Sequence, residues 1–207
     1  ALGRHWISPA RMRVRRAGVI GTEVPVSADV TNPGAIPGLG GGIVQITRAF
    51  AQRASELSKQ HDALLLFDEI QCGLGRTGKF WAHASLPEVA HPDIITTAKA
   101  LGNGFPIGAT IVNGSVSDKI VVGDHGTTFG GNPLGARLAH YIVSRLSDPK
   151  LLSDVGTKSE LFKKHFAALQ NKYPDLVKEI RGRGLHLGLQ LTQDPTPIVT
   201  AARERGL

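Results

Sequence analysis

Residues 63–78, with the sequence ALLLFDEIQCGLGRTG, decide the fold class of this chain. The stretch opens on a short, continuously apolar run that is typical of a strand buried on both faces, as in a parallel sheet. Upstream, apolar residues recur at helical spacing from Ile43 to Leu57, and they predict a helix that ends near His61. A helix that leads directly into a buried strand is typical of α/β proteins, so we expect that class here.

Two more strands are expected downstream of the glycine-rich loop. β-rich runs over 94–97 and 109–112 are bounded by Gly and Pro, and each is long enough for one strand. Together with the first strand they predict part of a mainly parallel sheet with flanking helices.

Helix starts are marked twice in the second half of the chain. Asn132-Pro133 and Asp148-Pro149 each place a capping side chain before a proline at the first helical position. They predict two helices, of which the second runs to about Asn171. Alternating leucines then predict a half-buried strand over 185–191, and a last helix is expected over 197–205.

These elements divide the chain into three predicted parts. Residues 1–40 carry five Arg against one Glu and one Asp and contain many Gly and Pro, so we predict an atypical basic leader. Residues 41–147 contain the alternating helices and strands and form a partial large domain. Residues 148–207 form the start of a smaller α+β domain.

Composition excludes several classes of protein. With 41% apolar residues, a chain of 207 residues can form a packed core. Cys72 is the only cysteine, which excludes an intramolecular disulfide and a cysteine-rich zinc site, and the eight His lack metal-ligand spacing. No metal site is therefore expected. No run of roughly 18 apolar residues is present, so no membrane span is expected.

Charge and aromatic content argue against nucleic-acid binding. The net charge is +7, but the aromatic residues, at 5%, are not interleaved with Arg as on a base-stacking surface. Nucleic-acid binding through the basic leader stays open as a hypothesis, and it predicts steeply salt-dependent binding.

The glycine-rich loop matches two nucleotide-binding patterns incompletely. As G-x-G-x-x-G, the run 73–78 should open a helix, but residues 79–87 are poor helix formers. As a P-loop it should continue with Ser or Thr after Lys79, and Phe80 cannot hold a magnesium ion. Neither nucleotide-binding function is therefore favoured. Cys72, just before the loop, is interpreted as a packed or unreactive thiol.

Three polar features could share one site at the carboxyl edge of the sheet. Asp68 ends the first strand, Lys99 follows the second, and HGTTFGGNP at 125–133 clusters hydroxyls and glycines. Ligands of open α/β sheets bind at this edge, so we expect Asp68 and Lys99 to converge. A carboxylate for a pyridine nitrogen, an amine that forms Schiff bases and hydroxyls for a phosphate together describe a pyridoxal phosphate site.

The same segments resemble the class III, fold-type I aminotransferases. The resemblance rests on FDEIQCGLGRTG at 67–78, on the segment around Lys99 and on HGTTFGGNP at 125–133, and it extends over about 41–207. It implies an α/β fold-type I architecture in which the large-domain sheet is mainly parallel and a smaller α+β C-terminal domain follows. Within the family, the motifs are most similar to the branch that acts on N-acetylornithine.

The resemblance also implies a role for each matched residue. Lys99 is the catalytic residue, which binds the cofactor covalently and moves a proton as general base and acid. Asp68 pairs with the pyridinium nitrogen, Thr127 lies beside the substrate, and Thr128 reaches the phosphate from the partner subunit. The complete implied cofactor-binding set is Asp68, Glu69, Ile70, Gln71, Lys99 and Thr128.

The implied reaction transfers the terminal amino group of N-acetylornithine to 2-oxoglutarate, in a homodimer that uses pyridoxal 5'-phosphate. The products are N-acetylglutamate semialdehyde and glutamate, and the pathway is arginine biosynthesis. Ornithine or another ω-amino compound is the alternative donor. The acid-free start of the leader favours the mitochondrial matrix, with the cytoplasm as the alternative.

The chain departs from the family in length and in parts of the site. Family members are longer, and their S-G-T-E-A phosphate loop, their ring-stacking aromatic residue and their substrate-binding Arg are not found here. We therefore expect impaired activity from this chain alone. The alternative hypothesis is a non-catalytic aminotransferase remnant that binds a partner subunit.

Overall fold

The computed structural model describes residues 13–16, 43, 45–86 and 92–207. Most of the predicted leader lies outside the described residues. Its described part is strand β1, Arg13–Arg16, which pairs antiparallel with the strand formed by the first apolar run. This short part of the predicted leader therefore joins the sheet.

Helix α1, Arg48–Gln60, packs on strand β2, Ala63–Asp68, which is a central strand of the first sheet. The helix begins later than the apolar periodicity from Ile43 suggests, because Thr47 caps it. The Phe50 N–H donates to Thr47 Oγ1 at 3.1 Å, which satisfies one of the free donors of the first turn. The helix ends before His61, as predicted.

The core lies between α1 and one face of β2. Ala51 and Ala54 of the helix pack against Ala63, Leu65 and Phe67 of the strand, and all five are buried. Burial of a Leu or Phe side chain contributes about 1.5–3 kcal/mol each. On the opposite face of β2 the side chains are only half-buried among the described residues. The strand is predicted to be buried on both faces, and this prediction is correct only for the face that packs against α1.

The first sheet has the strand order β1-β2-β3-β4, where β3 is Ile94–Thr97 and β4 is Ala109–Val112. β2 and β3 are parallel, as expected, whereas β3 and β4 are antiparallel. A parallel crossover needs about a dozen residues or more, and the connection over 98–108 is shorter. The chain therefore turns back beside the strand it has just left.

Three helices lie between β4 and the second sheet. α2, Gly114–Ser117, is a single turn. α3, Pro133–Leu146, and α4, Pro149–Lys172, begin at the two predicted prolines, and the side chains of Asn132 and Asp148 cap them. The capping signals therefore located both helix starts correctly.

The chain ends with a two-stranded sheet and a helix. β5, Val177–Arg183, pairs antiparallel with β6, His186–Leu191, and α5 covers Thr196–Glu204. The strand β5 was not predicted, since its charged residues do not alternate with apolar ones. Among the described residues, no helix is both long and apolar enough to cross a membrane.

Candidate active site

The parallel pairing of β2 and β3 brings two predicted site segments to one edge of the sheet. Asp68 pairs with Thr96 in the register, and the Glu69 N–H donates to the Thr96 carbonyl at 2.9 Å. Both strands end here, so the segments that follow Asp68 and Thr97 emerge side by side. This is the edge at which open α/β sheets bind ligands.

Lys99 begins a 3-10 turn directly after β3, with a backbone φ of +41°. A positive φ is uncommon outside glycine, and such conformations cluster at functional sites because the surrounding structure must hold them. Here the N–H groups of Gly102 and Asn103 donate to the Lys99 carbonyl at 3.2 and 3.0 Å. The turn thus fixes the backbone that carries the amine.

The Lys99 side chain is exposed in a cleft of about 520 Å³. This volume is within the range of about 300–1,000 Å³ that is typical of small-molecule sites. The cleft contains three of the predicted site residues, Ile70, Gln71 and Lys99. Its other lining residues are Gly73, Arg76, Ala100, Asn103, Gly104, Leu185 and His186.

Asp68 lies beside the cleft and is not among its lining residues. Its side chain is half-buried, and Oδ1 accepts a hydrogen bond from the Ile70 N–H at 3.0 Å. The predicted convergence with Lys99 therefore holds for the strand ends, while the carboxylate itself stabilises the turn that places Ile70 and Gln71.

Glu69 points away from the cleft, in contrast to its predicted contact with a cofactor. Its carboxylate is 2% exposed and accepts hydrogen bonds from the N–H groups of Ala82 and His83 at 2.7 and 2.9 Å. The His83 Nδ1 lies 2.7 Å from the same carboxylate, and the His83 ring packs edge-on against Phe67. Adjacent residues at a strand end face opposite sides, which agrees with the separate hydrogen-bond partners of the Asp68 and Glu69 carboxylates.

Thr127 and Thr128 are not brought to this cleft. Both are exposed in the segment that precedes α3, and neither is among the lining residues. The predicted set is therefore divided into a group in the cleft, a carboxylate beside it, a buried structural carboxylate and two exposed hydroxyls.

Arg76 and His186 are cleft residues that the sequence does not signal. Arg76 is part of the glycine-rich loop, and the Leu185 N–H donates to its carbonyl at 2.9 Å, which joins the β5–β6 turn to that loop. Arg76 and His186 are more than a hundred positions apart in the chain, so no local sequence pattern signals that both line the cleft. Burial lowers the pKa of His186 below its usual 6.5, and the charges of Arg76 and Lys99 lower it further.

The surroundings of Cys72 agree with its interpretation as a packed, unreactive thiol. Burial raises its pKa to about 12, and the nearby Glu69 and Asp68 carboxylates add to the effect. The thiolate is the reactive form, and at neutral pH almost none is present. Within the described residues, no group of three or more His, Cys, Asp or Glu side chains is placed to hold a metal ion.

The cleft fits part of what pyridoxal phosphate requires. An exposed primary amine stands among lining residues that include Arg76 and His186 and no Asp or Glu. Such a set suits an anionic aldehyde. The exposed Thr127 and Thr128 cannot complete a phosphate site in this cleft within one chain.

Replacing Gly184 with alanine is expected to displace the β5–β6 turn from the glycine-rich loop. Gly184 has φ +57°, and an added Cβ would lie 2.5 Å from the Thr77 carbonyl carbon and 2.6 Å from the Arg76 carbonyl oxygen. We expect a loss of about 2 kcal/mol in unfolding free energy, measured by urea denaturation. Gly206→Ala is the matched control, since Gly206 has φ +86° and open space around it. Equal losses in the two variants would contradict the proposed clash.

Comparison with known proteins identifies similar chains over most of this sequence. The sequence pattern of the family described as Aminotransferase class-III matches residues 21–207. The match begins earlier than residue 41, where the motif resemblance begins. Part of the predicted leader therefore belongs to the matched region.

The similar curated proteins include fungal enzymes. The chain is 64% identical over 167 residues to the mitochondrial acetylornithine aminotransferase of Neurospora crassa, and 48% identical over 167 residues to that of Saccharomyces cerevisiae. Each match covers 81% of this chain but only 36% and 40% of those proteins. The chain thus spans about two fifths of the length of the curated relatives it matches.

Solved structures share the fold. N-acetylornithine aminotransferase from Stenotrophomonas maltophilia superposes with a TM-score of 0.70 at 37% identity, covering 81% of this chain and 43% of that one. Ornithine aminotransferase from Toxoplasma gondii gives a TM-score of 0.73 at 35% identity, with 80% and 40% covered.

Proposed function

The chain belongs to the class-III aminotransferases, and on that premise we propose that it carries the catalytic lysine of a pyridoxal-phosphate-dependent transaminase. The observation that supports this most directly is the position of Lys99. Its amine stands in a cleft at the carboxyl edge of the parallel strands β2 and β3, on a turn with a left-handed backbone. The fold-type I α/β architecture agrees with the structural neighbours.

N-acetylornithine is the proposed amino donor and 2-oxoglutarate the acceptor. Support comes from relatives at 48–64% identity that carry the name acetylornithine aminotransferase. Ornithine is the alternative donor, since ornithine aminotransferases of solved structure are similar at 35% identity or less. The fungal relatives are named as mitochondrial, and we propose the same compartment for this protein.

The residues in and beside the cleft have separate proposed tasks. Pyridoxal phosphate, when bound, supplies an electron sink that stabilises negative charge on the substrate carbon. Lys99 would hold it through the side-chain amine and would move the proton at the substrate carbon as base and acid. Ile70 and Gln71 line the cleft beside Lys99, where they would hold the ring and its phenolic oxygen. Asp68 fixes this pair through its hydrogen bond to the Ile70 N–H.

Thr127 and Thr128 are proposed to act across a homodimer. Both are exposed and separate from the cleft of their own chain. Nearby Phe129 and Leu134 are 80% and 61% exposed, which is unusual for large apolar side chains. A second subunit would cover them and receive Thr128 at its phosphate. This exposed surface also favours the second candidate, a remnant that binds a partner subunit without catalysis.

A donor comparison tests the proposed function. The chain is incubated with pyridoxal phosphate, and the absorption of the cofactor is followed after addition of N-acetylornithine or ornithine. We expect N-acetylornithine to react at least about tenfold faster, because a binding site that meets a neutral amide disfavours a charged amine. A faster reaction with ornithine would contradict the donor assignment. A bound cofactor that reacts with neither donor would favour the non-catalytic remnant.

A further inference from the structure

We propose that Arg76 and His186 form an anion-binding wall in the cleft of Lys99, and that this wall takes a carboxylate of a small dicarboxylate amino acceptor. The inference rests on the proposed function for the identity of the acceptor. It goes beyond that function by assigning the carboxylate to two residues that neither the motifs nor the spacing singled out.

The charge of the lining residues is the first argument. Arg76, Lys99 and His186 are the titratable side chains among the cleft-lining residues, and no Asp or Glu accompanies them. In a cleft walled partly by protein of low dielectric, uncompensated positive charge attracts anions. Covalent use of the Lys99 amine would leave Arg76 as the principal cation of the cleft.

The second argument is that the backbone holds Arg76 firmly while its side chain stays available. The Arg76 N–H donates to the Gly73 carbonyl at 3.3 Å, and its own carbonyl accepts from the Leu185 N–H at 2.9 Å. The residue is exposed, and no carboxylate among the described residues pairs with its guanidinium. A guanidinium held in this way can bind a carboxylate with two parallel hydrogen bonds.

His186 supplies the third argument. Its Nε2 is shielded from solvent and has no hydrogen-bond partner among the described residues, a state that costs free energy. The charges of Arg76 and Lys99 are among the causes of the lowered pKa of His186, so the three side chains are close enough to interact electrostatically. Because His186 lines the same cleft as Arg76, its neutral imidazole offers one more hydrogen bond to a carboxylate without adding charge.

The test is the binding of glutarate, a five-carbon dicarboxylate that lacks a reactive keto group. Its affinity for the 207-residue chain is measured by calorimetry, with inorganic phosphate as a second probe. The variants are Arg76→Gln, Arg76→Lys, His186→Leu and His186→Gln. Arg183→Gln is the control, because Arg183 is an exposed cation of the same hairpin outside the cleft lining. Circular dichroism melting checks the folding of every variant.

We expect Arg76→Gln to weaken glutarate binding about ten- to a hundredfold, as expected for the loss of charge-assisted hydrogen bonds. Arg76→Lys should retain part of the affinity, since it keeps the charge but not the planar fork. His186→Leu should weaken binding several-fold and His186→Gln should restore part of it. Arg183→Gln should bind as the unaltered chain does.

Several results would overturn the proposed anion-binding role of Arg76 and His186. They are undetectable glutarate binding to the unaltered chain, unchanged affinity in a folded Arg76→Gln variant, and Arg76-dependent binding of phosphate but not of glutarate. The covalent attachment of pyridoxal phosphate to Lys99 is measured in the same samples. Its absence from the unaltered chain would count against the proposed function alone, because glutarate binding does not depend on it.

Discussion

Replacing Lys99 with alanine is expected to abolish the covalent attachment of pyridoxal phosphate to the cleft. The Schiff base needs a primary amine, and Lys99 is the only lysine among the cleft-lining residues. Any transamination by the chain should fall by about 10²–10⁴-fold or more, since the proton-transfer group is lost as well. The measurement is borohydride reduction of the mixture, followed by mass spectrometry of the peptides.

Two further variants separate the possible causes of that loss. Lys99→Arg keeps the positive charge but should give no adduct, because a guanidinium does not form the Schiff base under these conditions. Lys79→Ala removes an exposed lysine of the neighbouring glycine-rich loop, outside the cleft lining, and should leave the adduct at full yield. Specific reduction at another lysine in the Lys99→Ala chain would refute the assignment.

Replacing Glu69 with alanine is expected to destabilise the chain by about 4 kcal/mol, because it removes a buried carboxylate that holds a neighbouring turn. The Ala82 and His83 N–H groups and the His83 ring would all lose their partner. Urea denaturation followed by circular dichroism gives the free energy of unfolding. Glu69→Gln should lose less, since its single amide oxygen can still accept one of these hydrogen bonds.

The control for this prediction is Glu56→Ala on helix α1. Glu56 pairs with Arg53 at 3.3 Å, and the two side chains are 50% and 64% exposed. Exposed ion pairs of this kind contribute at most about 1 kcal/mol. A loss at Glu69 no larger than that at Glu56 would show that the turn containing Ala82 and His83 does not depend on the carboxylate.

Sequence predicted the local elements well where the signal lies within a few residues. The strands over 94–97 and 109–112 have the expected bounds, and the prolines at 133 and 149 begin their helices. A capping side chain, a fixed proline φ and an apolar run act on neighbouring backbone, so they determine structure locally. The start of α1 was placed too early, because the cap at Thr47 overrides the apolar periodicity before it.

The candidate site was only partly predictable. The motif around Lys99 identified the amine, and the expected parallel pairing placed it at the correct edge of the sheet. The strand period places Asp68 and Glu69 on opposite sides but does not show which of them faces the cleft. In the structure the Glu69 carboxylate, for which a cofactor contact is predicted, accepts hydrogen bonds from the Ala82 and His83 N–H groups. The sequence also gave no sign that Arg76 and His186 line the same cleft.

The sequence by itself determined the class-III aminotransferase family, the principal strands and helices and the lysine on which the proposed chemistry depends. Only the tertiary structure decided the antiparallel return of β4, the burial of Glu69 and the separation of Thr128 from its own cleft. It also decided the contact between Arg76 and Leu185. The physical reason is that these features arise from packing between segments distant in the chain, where loop lengths and steric fit decide the outcome and local propensities do not.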